Sequence, residues 1–512
     1  MWNPAVTSHI IGTALVAGAF LLLGRGIVRR SQGRSFHPLS AFLLMLVAIA
    51  YQLFYQESGI LARFGHLFLN VGLGMILASL YLTAKRESAK MFWVPGALAV
   101  VISGSIYAVS GLMGLCGTDL RGQPDTAEML VELGPDDQLA EIQPILRKYH
   151  AQAERAFPNV DLSEDEDLAQ YYLIYVDQDY YEPLAIELGN DAENVDQLDR
   201  NHPVHLIEPE ATVARPAPPV EFLADDPYLE QQWFASALDY NAVYELLKTH
   251  RPKKKAKVAI VDTGVDQGHE DIDDVYTRSG GAGDRDAHSH GTHCAGLAGA
   301  ATNNGKGIGS MNWQGEFVTL SGFPALDDQG RGTDQRVAKA IIDAAEGGAD
   351  VISMSLGGPA LFGPPKAQAD AIRYAQKLGA IVVVAAGNSN DDARRYSPAN
   401  IKGVITVSAV DESLNKASFS NTNTRLKQPI AAPGVNIMSS VPGSRYQAYN
   451  GTSMATPIVS GLVGLMRAYR PELTSKEAYR ILHHSGRKVR DSDKVGHVID
   501  PAAALQAVMR LN

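Results

Sequence analysis

Apolar positions are spread very unevenly along the chain. Four segments, 1–24, 36–56, 64–84 and 91–118, carry no Asp, Glu, Lys or Arg. Each is long enough, at a rise of about 1.5 Å per residue, to cross about 30 Å of hydrocarbon as a helix. Buried helices of a soluble core keep a polar face, and these runs have none. A cleaved signal peptide is the rival for the first run, but it needs a basic start, and Met1 to Ile10 holds no Lys or Arg. Arg25, Arg29, Arg30 and Arg34 follow the first run, and Lys85, Arg86 and Lys90 follow the third. Such loops stay cytoplasmic, so a four-span membrane region is expected, with everything after Thr118 emerging on the extracytoplasmic side.

After residue 118 the pattern changes twice. From Asp119 to Arg200 there are about twenty acidic residues against about five basic ones. Strand-like runs at 171–176 and 184–188 and helical spacing over 142–157 still predict a small α+β unit. Pro209, Pro216, Pro218 and Pro219 then suggest an extended, accessible linker over 209–225.

Beyond the linker, short unbroken apolar runs at 258–261, 351–354, 381–385 and 404–407 alternate with helical stretches. Strands buried on both faces read this way, so an α/β fold with a parallel sheet is predicted. Ligands of such sheets gather at the carboxyl ends of the strands. Asp262 ends one run, Ser355 follows another, and Asn388 follows a third.

Three motifs are candidates for chemistry, and each alone has a bland reading. Asp262-Thr-Gly also occurs in aspartic proteases, but those need a second carboxylate to share a proton, and no second copy is present. Ser289-His290-Gly-Thr-His293-Cys294-Ala-Gly opens a run of small residues suited to a tightly packed helix, where a histidine can be structural. Gly451-Thr-Ser453-Met-Ala-Thr-Pro457 can be a turn, a helix cap and a first-turn proline. Together they place an Asp, a His and a Ser where strand ends and helix starts converge on one cleft.

With these three blocks in this order, the chain from about Asp226 onward resembles the subtilisin family of serine peptidases. Flanking pieces carry the same likeness: Asp226-Pro-Tyr-Leu-Glu-Gln-Gln-Trp233, Ser353-Met-Ser355-Leu-Gly357, Ala385-Ala-Gly-Asn388 and Ala432-Pro-Gly434. The resemblance implies a subtilisin-like peptidase domain with Ser453 as nucleophile, His290 as its base and Asp262 orienting the imidazole. It implies an oxyanion amide from Asn388, and Ser355, Leu356 and Gly357 pairing with the substrate backbone. His293 is the rival base, and Cys294, directly behind, is expected to pack inertly. The acidic unit, 119–208, bears a fainter likeness to a subtilisin propeptide, with Val195 to Pro209 resembling its last helix and strand; cleavage is then expected between about Glu208 and Asp225.

Charge and cysteine count narrow the alternatives. A net charge of -11 argues against a phosphate-neutralising nucleic-acid binder. Two cysteines exclude a multi-disulfide scaffold, and His290 and His293 lack the further ligands of a zinc site. No cofactor is implied with certainty. Structural calcium suits the family, but its ligands are scattered over loops and no residue is assigned. The expected function is a membrane-anchored endopeptidase acting on proteins or peptides through an acyl-enzyme; the alternative is a catalytically silent, peptide-binding membrane receptor or scaffold.

Overall fold

The computed structural model describes residues 120, 125–206, 210–213 and 220–511. The four apolar segments and Cys116 lie outside these, as do residues 207–209 and 214–219 of the proline-rich stretch. Among the described residues no helix is long and apolar enough to cross a membrane.

The chain divides into two compact units. The smaller, 1–127 with 144–152 and 175–184, includes among its described residues the 3-10 turn Gln178–Tyr180, which Asp177 caps by accepting from the Asp179 N–H at 2.9 Å. The larger, 128–143, 153–174 and 185–512, holds every residue of the sites described below.

The acidic region forms β1 (Thr126–Leu133), α1 (Leu139–Lys148), β2 (Gln152–Arg155), β3 (Tyr171–Asp177), α2 (Tyr181–Gly189) and β4 (Val195–Arg200), with a sheet of order β2-β3-β1-β4. The expected strand at 171–176 is present. Three local expectations need correction. Residues 184–188 are helical, because Leu184 and Leu188, four apart and fully buried, share a face that leaves Ile186 outside. The helix begun near Ile142 stops at Lys148; His150 turns the chain at φ 54° and strand β2 follows. Val195–Arg200 is not a helix but an antiparallel edge strand, with Met129 opposite Arg200 and Leu133 opposite Val195.

Two short strands follow: β5 (Pro203–His205) and β6 (Glu210–Thr212), the latter within the expected linker. Next come α3 (Tyr240–Thr249), β7 (Ala256–Asp262), α4 (His290–Gly299), β8 (Val318–Pro324), β9 (Arg331–Thr333), α5 (Asp334–Glu346), β10 (Val351–Met354), α6 (Lys366–Lys377), β11 (Ile381–Ala385), β12 (Ile405–Val410), β13 (Pro429–Pro433), β14 (Ile437–Val441), β15 (Arg445–Asn450), α7 (Thr452–Tyr469) and β16 (His497–Val498). The main sheet is parallel throughout, in the order β8-β7-β10-β11-β12-β13-β16. β10, β11 and β12 are buried at every position, which is why their sequences show no alternation.

Helix α7 is buried along its whole length, so its small residues are packing surfaces. A Cβ on Gly461 would stand 2.4 Å from the Ala298 carbonyl of α4, and one on Gly464 2.9 Å from the Val258 side chain of β7. A methyl at Gly461 should cost about 1–3 kcal/mol in displaced backbone. This approach brings the starts of α4 and α7, with His290 and Ser453, to the carboxyl ends of the central strands.

Candidate active site

Asp262 is the last residue of β7 and His290 the first of α4, both fully buried. Asp262 Oδ1 lies 2.7 Å from His290 Nδ1 and also accepts from the Thr263 N–H at 2.8 Å. A carboxylate only accepts, so Nδ1 carries a proton, and in the neutral ring Nε2 is the basic nitrogen. Nε2 is buried without a hydrogen-bond partner. Burial works against the imidazolium, but the Asp262 carboxylate outweighs it and holds the His290 pKa well above the usual value.

Ser453, the second residue of α7, is 6% exposed. Its Oγ donates to the Ser355 carbonyl at 3.1 Å, while the Ser355 hydroxyl donates back to the Ser453 carbonyl at 2.8 Å. Cys294 Sγ bridges the two helix starts, 3.9 Å from His290 Nδ1 and 3.5 Å from the Ser453 carbonyl. Burial pushes the Cys294 thiol pKa up, so it stays protonated. Asp262, His290 and Cys294 could each offer one ligand atom within 4.8 Å of the others, a closeness that follows from the dyad and the thiol packed beside it.

Asn388 lies just beyond β11, and its amide orientation is fixed. Its Oδ1 accepts from the Thr452 N–H at 2.9 Å and the Thr452 hydroxyl at 2.8 Å, which leaves Nδ2 as the free donor. A Cβ on Gly451 would stand 3.5 Å from both Asn388 Nδ2 and the Ser453 nitrogen, so two donors flank a space that exists because residue 451 has no side chain. Ser355, Leu356 and Gly357 leave the end of β10 and line one cavity with Asn388 and Ser453. Ala385, Ala386, Gly387 and Ser397 complete a wall without charge. A Cβ on Gly357 would meet the Ser397 carbonyl at 2.5 Å, so only glycine fits there.

His293 does not join this group. Its Nε2 lies 3.1 and 3.0 Å from the Ile437 and Gln447 carbonyls, its ring stacks on Tyr449, and burial together with His290 lowers its pKa to about 3. It is a neutral donor tying α4 to the β14–β15 hairpin.

Two residues not singled out by the sequence organise the site. Asp286 Oδ1 accepts from the Thr263 hydroxyl and the N–H groups of His288 and Ser289, and Oδ2 from the Thr292 N–H and hydroxyl. It thus caps α4, while Ser289, the cap suggested by position, turns its hydroxyl to Tyr449. Asn421 accepts from the Ser389 and Asp391 N–H groups and donates to the Ala386 carbonyl, holding the loop that carries Asn388. Neither announces itself, because an Asp or Asn in a loop is common.

Away from the cleft, Asp226 and Asp271 suit a hard cation. Burial lifts the Asp226 pKa to about 7, with Asp271 adding repulsion against the relief from the Asn303 and Asn304 N–H groups. Asp271 is fully buried, and its Oδ1 has no hydrogen-bond partner. Oxygen donors of this kind match calcium.

The comparisons with known proteins agree with this geometry. Residues 253–498 match the family model described as the subtilase family. The chain is 42% identical to thermitase of Thermoactinomyces vulgaris over 216 residues, 41% of this chain and 74% of that one. It is 36% identical to subtilisin DY of Bacillus licheniformis over 257 residues, 49% of this chain and 90% of that one. It is 41% identical to a thermophilic serine proteinase of Bacillus sp. (strain AK1) over 215 residues, of whose length it spans about half, 51%. The structure of an epidermin leader peptide processing serine protease from Staphylococcus aureus shares the fold, with a TM-score of 0.58 at 22% identity over 75% of this chain and 98% of that one. Motif order, parallel sheet and identity across most of two curated relatives lead to one assignment: the chain belongs to the subtilase family and is a subtilisin-like serine peptidase.

Proposed function

We propose that this peptidase is made as a membrane-anchored, self-occupied precursor, in which Ser453 attacks the peptide carbonyl, His290 takes its proton and Asp262 orients and stabilises the imidazole. A rotation of the serine side chain off the Ser355 carbonyl re-aims Oγ toward His290 Nε2, and such bonds commonly tighten only when substrate is present. Asn388 Nδ2 and the Ser453 N–H then receive the oxyanion of the tetrahedral intermediate; one such donor is worth about 3 kcal/mol in the subtilisin case that supplies the figure. Collapse, with His290 passing its proton to the leaving nitrogen, releases the amine and leaves an acyl-enzyme that water hydrolyses.

The observation that carries this reading is the path of the chain itself. Val204 lies opposite Gly332 in an antiparallel β5–β9 pair, extended by the Asp334 N–H to the His202 carbonyl and the Leu206 N–H to the Gly330 carbonyl. Leu206 also lines the cavity shared by Ser355, Asn388 and Ser453. On the other side, Glu210, Ala211 and Thr212 pair antiparallel with Asn450, Tyr449 and Ala448 of β15. Strand addition through the backbone is how peptides are held extended. The chain therefore enters and leaves the neighbourhood of Ser453 as a substrate would, which supports 119–208 as a propeptide. On this reading the bond to be cut falls between Leu206 and Glu210, a span that starts ahead of the window expected from the sequence, Glu208 to Asp225.

The membrane part of the proposal rests on the four uncharged segments before residue 119 and on their basic flanks, which place the peptidase on the extracytoplasmic side. A cell-impermeant fluorophosphonate applied to whole cells tests catalysis and sidedness together. Labelling no greater than that of a Ser453→Ala control in lysed cells would sink the catalytic reading. Labelling only after lysis would sink the orientation.

A further inference from the structure

Asp334 is hard to explain as a helix residue alone. An acid in the first turn of α5 suits the helix dipole, yet this carboxylate is 3% exposed where solvent would serve it better. Its Oδ1 accepts from Gln368 Nε2 at 2.7 Å, and Gln368 is itself held by the Ser397 hydroxyl at 3.0 Å. Its Oδ2 meets the His202 N–H at 3.2 Å and the His202 ring Nδ1 at 3.3 Å. Half of the carboxylate is therefore satisfied by the peptidase and half by the segment lying in the cleft. Burial raises the Asp334 pKa to about 6 against the pull of His202.

Once 119–208 leaves, Gln368 and Ser397 still hold Asp334 in place, while Oδ2 loses its partner. With the segment in place, Asp334 borders a cavity of about 430 Å³ whose other walls include Gly358, Leu361 and Phe362. Leu361 and Phe362 are 62% and 105% exposed, apolar surface that nothing covers. A fixed acid beside uncovered apolar side chains matches a long cationic side chain, whose head pairs with the acid and whose stem lies on the apolar wall. Asp199 and Arg200 border the same cavity but depart with the propeptide. The ladder from His202 opposite Asp334 to Leu206 opposite Gly330 supplies the ruler.

We infer that Asp334 is a specificity-determining residue that selects Lys or Arg on the substrate, four residues ahead of the one that takes the place of Leu206. The inference rests on the reading of 202–206 as bound in the manner of a substrate. The test uses internally quenched peptides built on the sequence 202–212, with Lys, Arg or Gln in the place of His202, and the self-processed enzyme or its Asp334→Asn variant. The basic peptides should exceed the Gln peptide in kcat/KM by about tenfold, the worth of one charge-assisted pair. In Asp334→Asn that ratio should fall to about one. Should the variant fold poorly, the wild type alone decides, since its preference must shrink from low to high salt. Cleavage of all peptides without a basic preference, or an equal preference in Asp334→Asn, overturns the inference and leaves the peptidase standing. Cleavage of none by the wild type overturns both.

Discussion

Asp286 offers the sharpest test of how the site is held. It is 8% exposed and accepts five hydrogen bonds, so the change Asp286→Asn alters little volume but much chemistry. The amide oxygen can keep the Thr263, His288 and Ser289 donors, which leaves the new NH2 facing the Thr292 N–H. An orphaned buried N–H costs about 1–3 kcal/mol, and losing the charge on the three retained bonds adds about as much, for a total near 4 kcal/mol. The loss should not be confined to stability. The Thr263 hydroxyl also accepts the Gly291 N–H, so Asp286 ties the residue after Asp262 to the residue after His290. A misplacement of about 1 Å in such a pair can cost about 100-fold in rate. The expected result is a fall in kcat of that order with KM nearly unchanged, measured on folded protein well below its midpoint, together with a lower urea midpoint. Thr263→Val should act through the same link, so the double variant should lose less than the sum of the two. A kcat within twofold of wild type in a clearly destabilised Asp286→Asn would show that the residue only holds the fold, and would refute the positioning role.

Further outcomes follow from the same geometry. Ser453→Ala should accumulate as the intact 55.1 kDa chain by mass spectrometry, whereas wild type should be cut between Leu206 and Glu210; an uncut yet fully active wild type would remove the precursor reading. Because Asp262 raises the His290 pKa and activity needs the neutral ring, the acid limb of kcat/KM should move to lower pH in Asp262→Asn, with kcat down about 10⁴-fold; an unmoved limb would count against the pairing. Asp226 titrates higher folded than unfolded, so its contribution is present below about pH 4 and is lost as pH rises through about 7. In chelator the melting temperature should therefore fall across that window, and calcium should restore it most above pH 7; no response to calcium in wild type would exclude a cation at Asp226 and Asp271.

How much of this could be read from the sequence depends on the kind of signal each part carries. Strands β10 and β11 were visible to the residue because burial on both faces leaves an unbroken apolar run. β8, β13 and β16 were not, since Thr319, Ser321 and Gly322 break the first, Pro429 and Pro433 flank the second, and the third has two residues. Asp262, His290, Ser453 and Asn388 stand out because each sits in a short motif at an element boundary; the structure pairs Asp262 with His290 and sets Asn388 and Ser453 on one cavity. Asp286, Asn421 and Asp334 act through partners far along the chain, and no local pattern encodes such a partner.

The acidic bias of 119–208 shows how a visible signal can still lack its meaning. Read alone, it suggested only a highly charged unit. In the fold its counterpart is α6, where Lys366, Asp370, Arg373 and Lys377 recur at helical spacing on one face. Lys366 Nζ lies 2.7 and 2.8 Å from the Glu132 carboxylate and 2.9 Å from Asp370, whose other oxygen takes Arg373 at 2.6 Å. Arg373 reaches Asp167 at 2.7 Å, Lys377 reaches the Glu164 carbonyl at 2.5 Å, and the Tyr171 hydroxyl donates to Asp370 at 3.0 Å. Exposed pairs of this kind are each worth about 0–1 kcal/mol. Glu132 and Asp370 are buried, however, so separating the surfaces strips partners from charges that are already largely desolvated. Three of the acidic residues, Glu132, Asp165 and Asp167, are thus matched to one helix of the peptidase. On the precursor reading, a cut near Leu206 would break a covalent link but none of these pairs, so the severed segment should stay bound until competing water and salt, or a second cut, dislodge it.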